Sequence, residues 1–143
     1  MISKKCKYAL RAILYLATES NEQHKLNAKL LSSALKIPSP YLSKILQELA
    51  PKNIITSAKG PTGGFYLSNE NLEVPLIDII AAIDGPSYFS TCGLGLEKCS
   101  DKHPCPLHDD FKKSREHMQK VFSGKSVKQL ASEMKKKDSF LVI

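Results

Sequence analysis

Three cysteines in the second half of the chain, Cys92, Cys99 and Cys105, are separated by six and five residues, and His108 follows in Cys105-Pro106-Leu107-His108. Thiolates and imidazole are the donors that select zinc and iron–sulfur clusters over hard cations. Three thiolates and one imidazole complete a set of four ligands. Zinc accepts that set, but its structural sites use tight knuckles of two to four intervening residues, which are absent here. Iron–sulfur clusters are wider and tolerate longer loops between thiolates. A redox-active disulfide pair is a third reading. Gly93 and Gly95 let the backbone fold closely around a cluster. His108 also reads as a surface residue beside Asp109 and Asp110, so its place in the set stays open on spacing alone. His103 is a weaker candidate, and His24 and His117 have no metal-like neighbours. Cys6 stands apart and reads as a small apolar residue on the first helix. No Ser/His/Asp set, phosphate loop or carboxylate pair occurs in a catalytic setting, so no catalytic residue is assigned and the chain is not read as an enzyme.

The elements that must hold these groups follow from periodicity. Ala9, Leu10, Ile13, Leu14, Leu16 and Ala17 predict a helix over 3–19, and residues 20–26 a turn or short extended link. Asn27 is an N-cap for a second helix through about Lys36, with Leu30, Leu31 and Leu35 on its buried side. After the break at Ile37-Pro38-Ser39-Pro40 a third helix carries Leu42, Ile45, Leu46 and Leu49, with Pro40 in its first turn. Two short helices across a tight break read as helix-turn-helix, the second being the reading helix. Residues 54–58 and 64–67 are strand-like around the turn Lys59-Gly60-Pro61-Thr62-Gly63. The order is that of a winged helix, whose hairpin tip can approach a DNA backbone or minor groove. Leu76, Ile77, Ile79, Ile80 and Ile83 predict a further helix that stops at Gly85-Pro86. Residues 86–104 read as a long irregular loop, of the kind that usually exists for function. A long helix is expected from Pro106 to Ser123, which would put Cys105 at its N-terminus, where the exposed N–H groups favour a thiolate. Leu107, Phe111, Ser114, Met118, Val121 and Phe122 form a near-heptad seam on it, suited equally to a second copy of the chain or to an intramolecular core. A last helix spans roughly 126–136.

The fold class is therefore mainly α with a small β-hairpin wing. It divides into a winged helix-turn-helix over 1–85, a cysteine-rich loop over 86–105, and a dimerisation helix with a C-terminal helix over 106–143. Charge supports the division. Residues 1–60 hold ten Lys or Arg against three acids, whereas 61–143 hold eleven of each, so all of the net charge of +7 lies in the first unit. A one-sided basic face points to a polyanion partner. With no signal-peptide pattern and no apolar run near the ~20 residues of a membrane span, a soluble cytoplasmic protein is expected.

Taken together these features resemble the Rrf-type winged-helix transcription regulators of the IscR, NsrR and CymR kind. Tyr8-Ala9-Leu10-Arg11 is similar to the family's first-helix opening, and Lys59-Gly60-Pro61-Thr62-Gly63-Gly64-Phe65-Tyr66-Leu67 to its wing. Asp78-Ile79-Ile80-Ala81-Ala82-Ile83-Asp84-Gly85 is similar to its next helix, and Cys92, Cys99, Cys105 and His108 match its cluster loop. The resemblance implies a homodimer on double-stranded DNA with a palindromic operator, paired through the long helix. It implies DNA contacts by Tyr41, Ser43 and Lys44 at the reading helix and by Lys59, Gly60 and Thr62 at the wing. It implies an iron–sulfur cluster that reports oxidation, nitric oxide or iron supply, acting in a repressor or an activator. Members with a four-iron cluster take an acidic ligand from the start of the partner's first helix. Here that turn reads Cys6-Lys7, so the resemblance favours a two-iron cluster on Cys92, Cys99, Cys105 and His108, with a four-iron cluster or Cys6 as ligand the alternative. Ser43 replaces an acid that takes part in choosing between DNA sites. The rival readings are a cluster-free regulator sensing through thiol oxidation or a partner protein, and an iron–sulfur electron-transfer or carrier protein, which would have no use for a basic reading face.

Overall fold

A computed structural model describes residues 2–98 and 100–137; Met1, Cys99 and residues 138–143 lie outside the described residues. Among the described residues seven α-helices and one hairpin follow in order. They are α1 (Lys4–Glu19), α2 (Ala28–Leu35), α3 (Ser39–Leu49), β1 (Thr56–Ala58), β2 (Gly64–Tyr66), α4 (Asn69–Leu72), α5 (Leu76–Asp84), α6 (His108–Ser123) and α7 (Val127–Lys136). Helix α1 is the central element. It packs on α2, α3, α5 and α7, and its Ala9, Ala12, Ile13 and Leu16 are wholly buried. Leu31, Leu35, Leu42, Ile45, Leu46, Leu49 and Ile79 complete the same core. Each such Leu or Ile contributes roughly 1.5–3 kcal/mol of burial.

The ends of the helices are set by local chemistry. The Ser3 hydroxyl caps α1 by accepting from the Cys6 N–H (3.0 Å), and the Asn27 side chain caps α2 by accepting from Leu30 N–H (2.8 Å). Gly85 ends α5 as expected, and a Ser126/Gln129 capping box starts α7. Both of these satisfy backbone groups that a helix end leaves open.

The hairpin pairs Thr56 with Tyr66, Ser57 with Phe65 and Ala58 with Gly64. Leu26 bridges the other edge of β2, exchanging both backbone bonds with Phe65 (2.9 and 2.7 Å). A Cβ on Gly64 would stand 2.9 Å from the Leu26 carbonyl oxygen, so only glycine lets that link lie against the wing. A second backbone clasp joins residues far apart in sequence: Leu76 N–H donates to Lys125 C=O and Val127 N–H to Val74 C=O, each at 3.0 Å. It seats the start of α7 against the start of α5.

Four expectations are corrected. Leu30, expected on the buried side of α2, is 54% exposed, and only Leu31 and Leu35 of that helix are buried. Ile54 and Ile55 are not strand: both are buried in a turn that follows a 3-10 turn at Ala50–Lys52, and their apolar run marks core contact rather than pairing. The short helix α4 was not expected at all. Helix α6 starts at His108, not Pro106. The residues before it form a tight turn in which His108 N–H reaches Cys105 C=O (3.0 Å), so Cys105 stands three residues ahead of the helix rather than at its first turn.

Candidate functional site

Helix α3 presents Tyr41, Lys44 and Gln47 to the outside, while Leu42, Ile45, Leu46 and Leu49 fix its inner face. Its N-terminus is preceded by Pro38, carries Pro40 in the first turn, and has no side-chain cap and no acid there. Tyr41 is held by Tyr8 of α1, edge to face with ring centroids 5.6 Å apart. Lys4 Nζ and the Arg11 guanidinium lie 5.6 and 5.7 Å from the Tyr8 ring, at cation–π range. Arg11 also donates to the Leu35 carbonyl (2.8 Å), tying α1 to the end of α2. Glu48, the sole acid of α3, is answered by Lys5 and Lys52. Lys44 and Lys59 form no ion pair with a described residue.

The wing meets this surface. Gln47 of α3 and Ser57, Lys59 and Phe65 of the hairpin line one groove. Lys59, Gly60 and Thr62 are exposed at the tip, where Gly63 N–H closes a turn on Gly60 C=O (2.9 Å); Ser43 is half-buried. The result is a cationic surface with a projecting aromatic and a hairpin beside it, the chemistry that meets a phosphate backbone.

The cysteine segment runs as successive tight turns between α5 and α6. Phe89 anchors its start, stacked near Tyr88 (4.8 Å) and Phe122 of α6 (6.4 Å). Gly93 packs under Phe111 of α6, where a Cβ would fall 2.7 Å from the ring. The Cys92 thiol is turned toward the backbone N–H groups of Leu96, Leu94 and Gly95 and toward the thiol of Cys105. These hydrogen bonds, that of Leu96 foremost, hold it below the ordinary thiol range. Both thiols are half-buried.

His108 is buried, 5% exposed, and its Nε2 lies 2.8 Å from Oδ1 of Asp101, which also takes Lys112 Nζ at 3.1 Å. The hydrogen bonds from His108 and then Lys112 keep the Asp101 carboxyl below the usual range. The structure thus brings Cys92 and Cys105 together and turns the His108 ring to Asp101; Cys99 is outside the described residues. Among the described residues no three His, Cys, Asp or Glu side chains are grouped to hold a metal ion. Two adjacent soft sulfurs do suit an iron–sulfur or zinc site in donor type.

Cys6 is wholly buried; burial, with the charge of Asp84 second, pushes its thiol up to about 12. Asp84, at the end of α5, accepts from Ser3 N–H (2.9 Å) and from the Ser3 hydroxyl. Tyr88 lies in the same neighbourhood, its phenol pushed up first by burial and then by Asp84. Sequence reasoning missed Asp101 and the role of Tyr8. Asp101 sits seven residues before His108, a spacing with no meaning until the loop folds back.

Residues 2–133 match the Rrf2 family, described as an iron-dependent transcriptional regulator. The chain belongs to the Rrf2 family. A chain of Aquifex aeolicus named as an HTH-type transcriptional regulator is 32% identical over 132 residues, 91% of this chain and 90% of its own length. IscR of Photorhabdus laumondii is 25% identical over 131 residues, 92% of this chain and 79% of its own. Among solved structures, CymR, titled the global cysteine regulator of B. subtilis, has a TM-score of 0.74 at 23% identity, covering 93% of this chain and 97% of that one. T. potens IscR has a TM-score of 0.73 at 18% identity, covering 98% and 92%. At these identities the two structures speak for the winged-helix fold. Rrf2 proteins are DNA-binding transcriptional regulators rather than enzymes. No helix among the described residues of this Rrf2 protein is long and apolar enough to cross a membrane.

Proposed function

We propose that this Rrf2 regulator reads a palindromic operator as a homodimer and adjusts its grip on DNA to the state of an iron–sulfur cluster. The DNA part rests on the open surface of α3 and the wing. Tyr41, Ser43 and Lys44 meet phosphates and base edges, and Lys59, Gly60 and Thr62 enter the neighbouring minor groove. Lys44 and Lys59 act as unneutralised charges, Tyr41 as a rigid contact seated on Tyr8.

The sensing part is carried by one observation, the side-by-side thiols of Cys92 and Cys105 ahead of α6. Cys92, Cys99, Cys105 and His108 are the residues that would hold the cluster, with two irons favoured. A bound cluster supplies a group whose ligation changes with oxidation, nitric oxide or iron supply. For His108 to serve through Nε2, its bond to Asp101 must open. Ligand exchange at that ring therefore releases one tie between the loop and α6. Lys112 on Asp101, Gly93 beneath Phe111 and Phe89 beside Phe122 are further ties. A change in the order of the loop is thereby felt along α6, and DNA affinity follows because the ligand favours one of two arrangements.

Binding of a promoter fragment measured across a salt series tests the first part. A steep log–log slope is expected, and Lys44→Gln and Lys59→Gln should each flatten it by roughly 0.9. A salt-independent interaction would end the DNA reading. Iron and sulfide counts with visible spectra on protein prepared without oxygen test the second. Alanine at Cys92, Cys99 and Cys105 together should abolish the absorbance, and His108→Ala should weaken or shift it. Absorbance retained in the triple variant refutes the ligand set. The cluster-free reading, thiol sensing by the same loop, is favoured by the direct Cys92–Cys105 contact.

A further inference from the structure

We infer, building on the DNA-binding reading above, that Asp84 is a positioning residue that passes the order of the cysteine segment to the DNA-reading head. It is the last residue of α5, two before the segment opens at Pro86. A carboxylate is ill placed there on its own helix, because a helix C-terminus already carries partial negative charge. Asp84 is answered from another element. It accepts from the Ser3 N–H (2.9 Å) and from the Ser3 hydroxyl, at the opening of α1, whose first turn has no acid of its own. The same hydroxyl accepts from the Cys6 N–H (3.0 Å), so the cap of α1 and the carboxylate of α5 form one unit. The positive end of α1 thus balances the negative end of α5.

A second tie closes a ring. Pro86 has no N–H to give the Ala82 carbonyl four residues earlier, and α5 has no basic residue in its last turn. Lys52, in the 3-10 turn after α3, donates to that carbonyl (2.6 Å) and lies 3.7 Å from Glu48 of α3. Glu48 also takes Lys5 of α1 (2.5 Å). The circuit from Asp84 through Ser3, Lys5, Glu48 and Lys52 to Ala82 therefore joins the end of α5 to the start of α1 and the last turn of α3. Its ion pairs are half-exposed and add little to stability. What they fix is direction. A shift at the end of α5 draws on Ser3 and Lys52 together. Helices α1 and α3 carry Tyr8 and Tyr41, packed edge to face at 5.6 Å on the proposed DNA surface.

A double-mutant cycle on the full chain, kept metal-free so that only the substitutions vary, tests this role. It combines Asp84→Ala with a change in the segment that shares no partner with Asp84. Gly93→Ala serves, since a Cβ there would fall 2.7 Å from the Phe111 ring; Phe89→Ala, which frees the segment from Phe122, is the second such change. Two signals are read: the NMR resonances of the Tyr41 ring without DNA, and the dissociation constant for a promoter fragment. Each segment change should shift both signals in the otherwise unsubstituted chain, and both responses should collapse in the Asp84→Ala chain. Asp84→Ala alone should weaken binding roughly fivefold, while the salt slope, which counts phosphate contacts, is kept. Asp84→Asn, which leaves an oxygen for the Ser3 N–H but no charge, repeats the cycle should the alanine variant fold poorly. A merely structural Asp84 would leave the two effects additive. Equal responses with and without Asp84, or segment resonances that move while those of Tyr41 stay still, overturn the inference. A chain that holds no promoter DNA sinks the DNA-binding reading instead, and the Tyr41 resonances then decide the role of Asp84.

Discussion

Cys6 and Cys92 are the same functional group pushed in opposite directions. Core packing around Cys6, with Asp84 nearby, disfavours its thiolate; backbone N–H groups around Cys92, that of Leu96 foremost, favour it. The stability consequence belongs to Cys6. In the unfolded chain it titrates near 8.5–9, and in the folded protein at about 12. Between those values the unfolded state has lost a proton that the folded state keeps. Its contribution is therefore complete below the lower pKa and is lost as pH rises toward the upper one. Urea denaturation should yield a stability that falls once pH passes about 9, and Cys6→Ala should remove that component of the slope. An unchanged alkaline slope in the variant would place the titration elsewhere.

The elements are held in register by one side chain that sequence reasoning did not single out. Asn71, in α4 and nearly buried, accepts from the Thr56 hydroxyl (2.6 Å) and the Ser68 N–H (2.9 Å) and donates to the Asn53 carbonyl (2.8 Å). It joins the turn after α3, the first wing strand and α4. Asn71→Ala should cost about 1–3 kcal/mol in chemical denaturation, because the part-buried groups it satisfies lose their partner. Since the hairpin loses its brace, DNA affinity should fall more than any change at an exposed residue of α4. Such a residue is hard to find in a sequence, because its partners lie 3, 15 and 18 positions away with no period. Periodic features were legible: the apolar stripes of α1, α3 and α5, the Asn27 cap and the glycine-rich wing all stand where spacing put them. The Ile54-Ile55 run misled because buried turns and strands share apolar residues. Pro106 misled because a proline suits the turn before a helix as well as its first residue. At the site, the cysteines were legible by type, but the Asp101 carboxylate that takes the His108 ring was not.

At the scale of the molecule, α6 is an outer helix. Only His108 on it is buried, and Val121 is 46% exposed with Leu107, just ahead of it, 44%. Phe122 packs against the core and Phe111 against Gly93, so the seam expected from the sequence is divided between an inward and an outward side. The outward side is where the proposed dimer forms. Leu107→Asp together with Val121→Asp should convert the protein to monomer in sedimentation equilibrium and weaken binding to a two-half-site operator while leaving the fold intact by circular dichroism. A dimer surviving both changes would remove α6 as the interface.

The clasp between residues 74–76 and 125–127 has a topological consequence. It ties off everything between as a closed excursion, leaving the chain where α5 begins and rejoining it where α7 begins. Val127, wholly enclosed, then anchors the far side against α1. A protease that nicks the excursion would separate the polypeptide into two pieces without separating the particle. The cut protein should migrate as one species under native conditions and as two after denaturation.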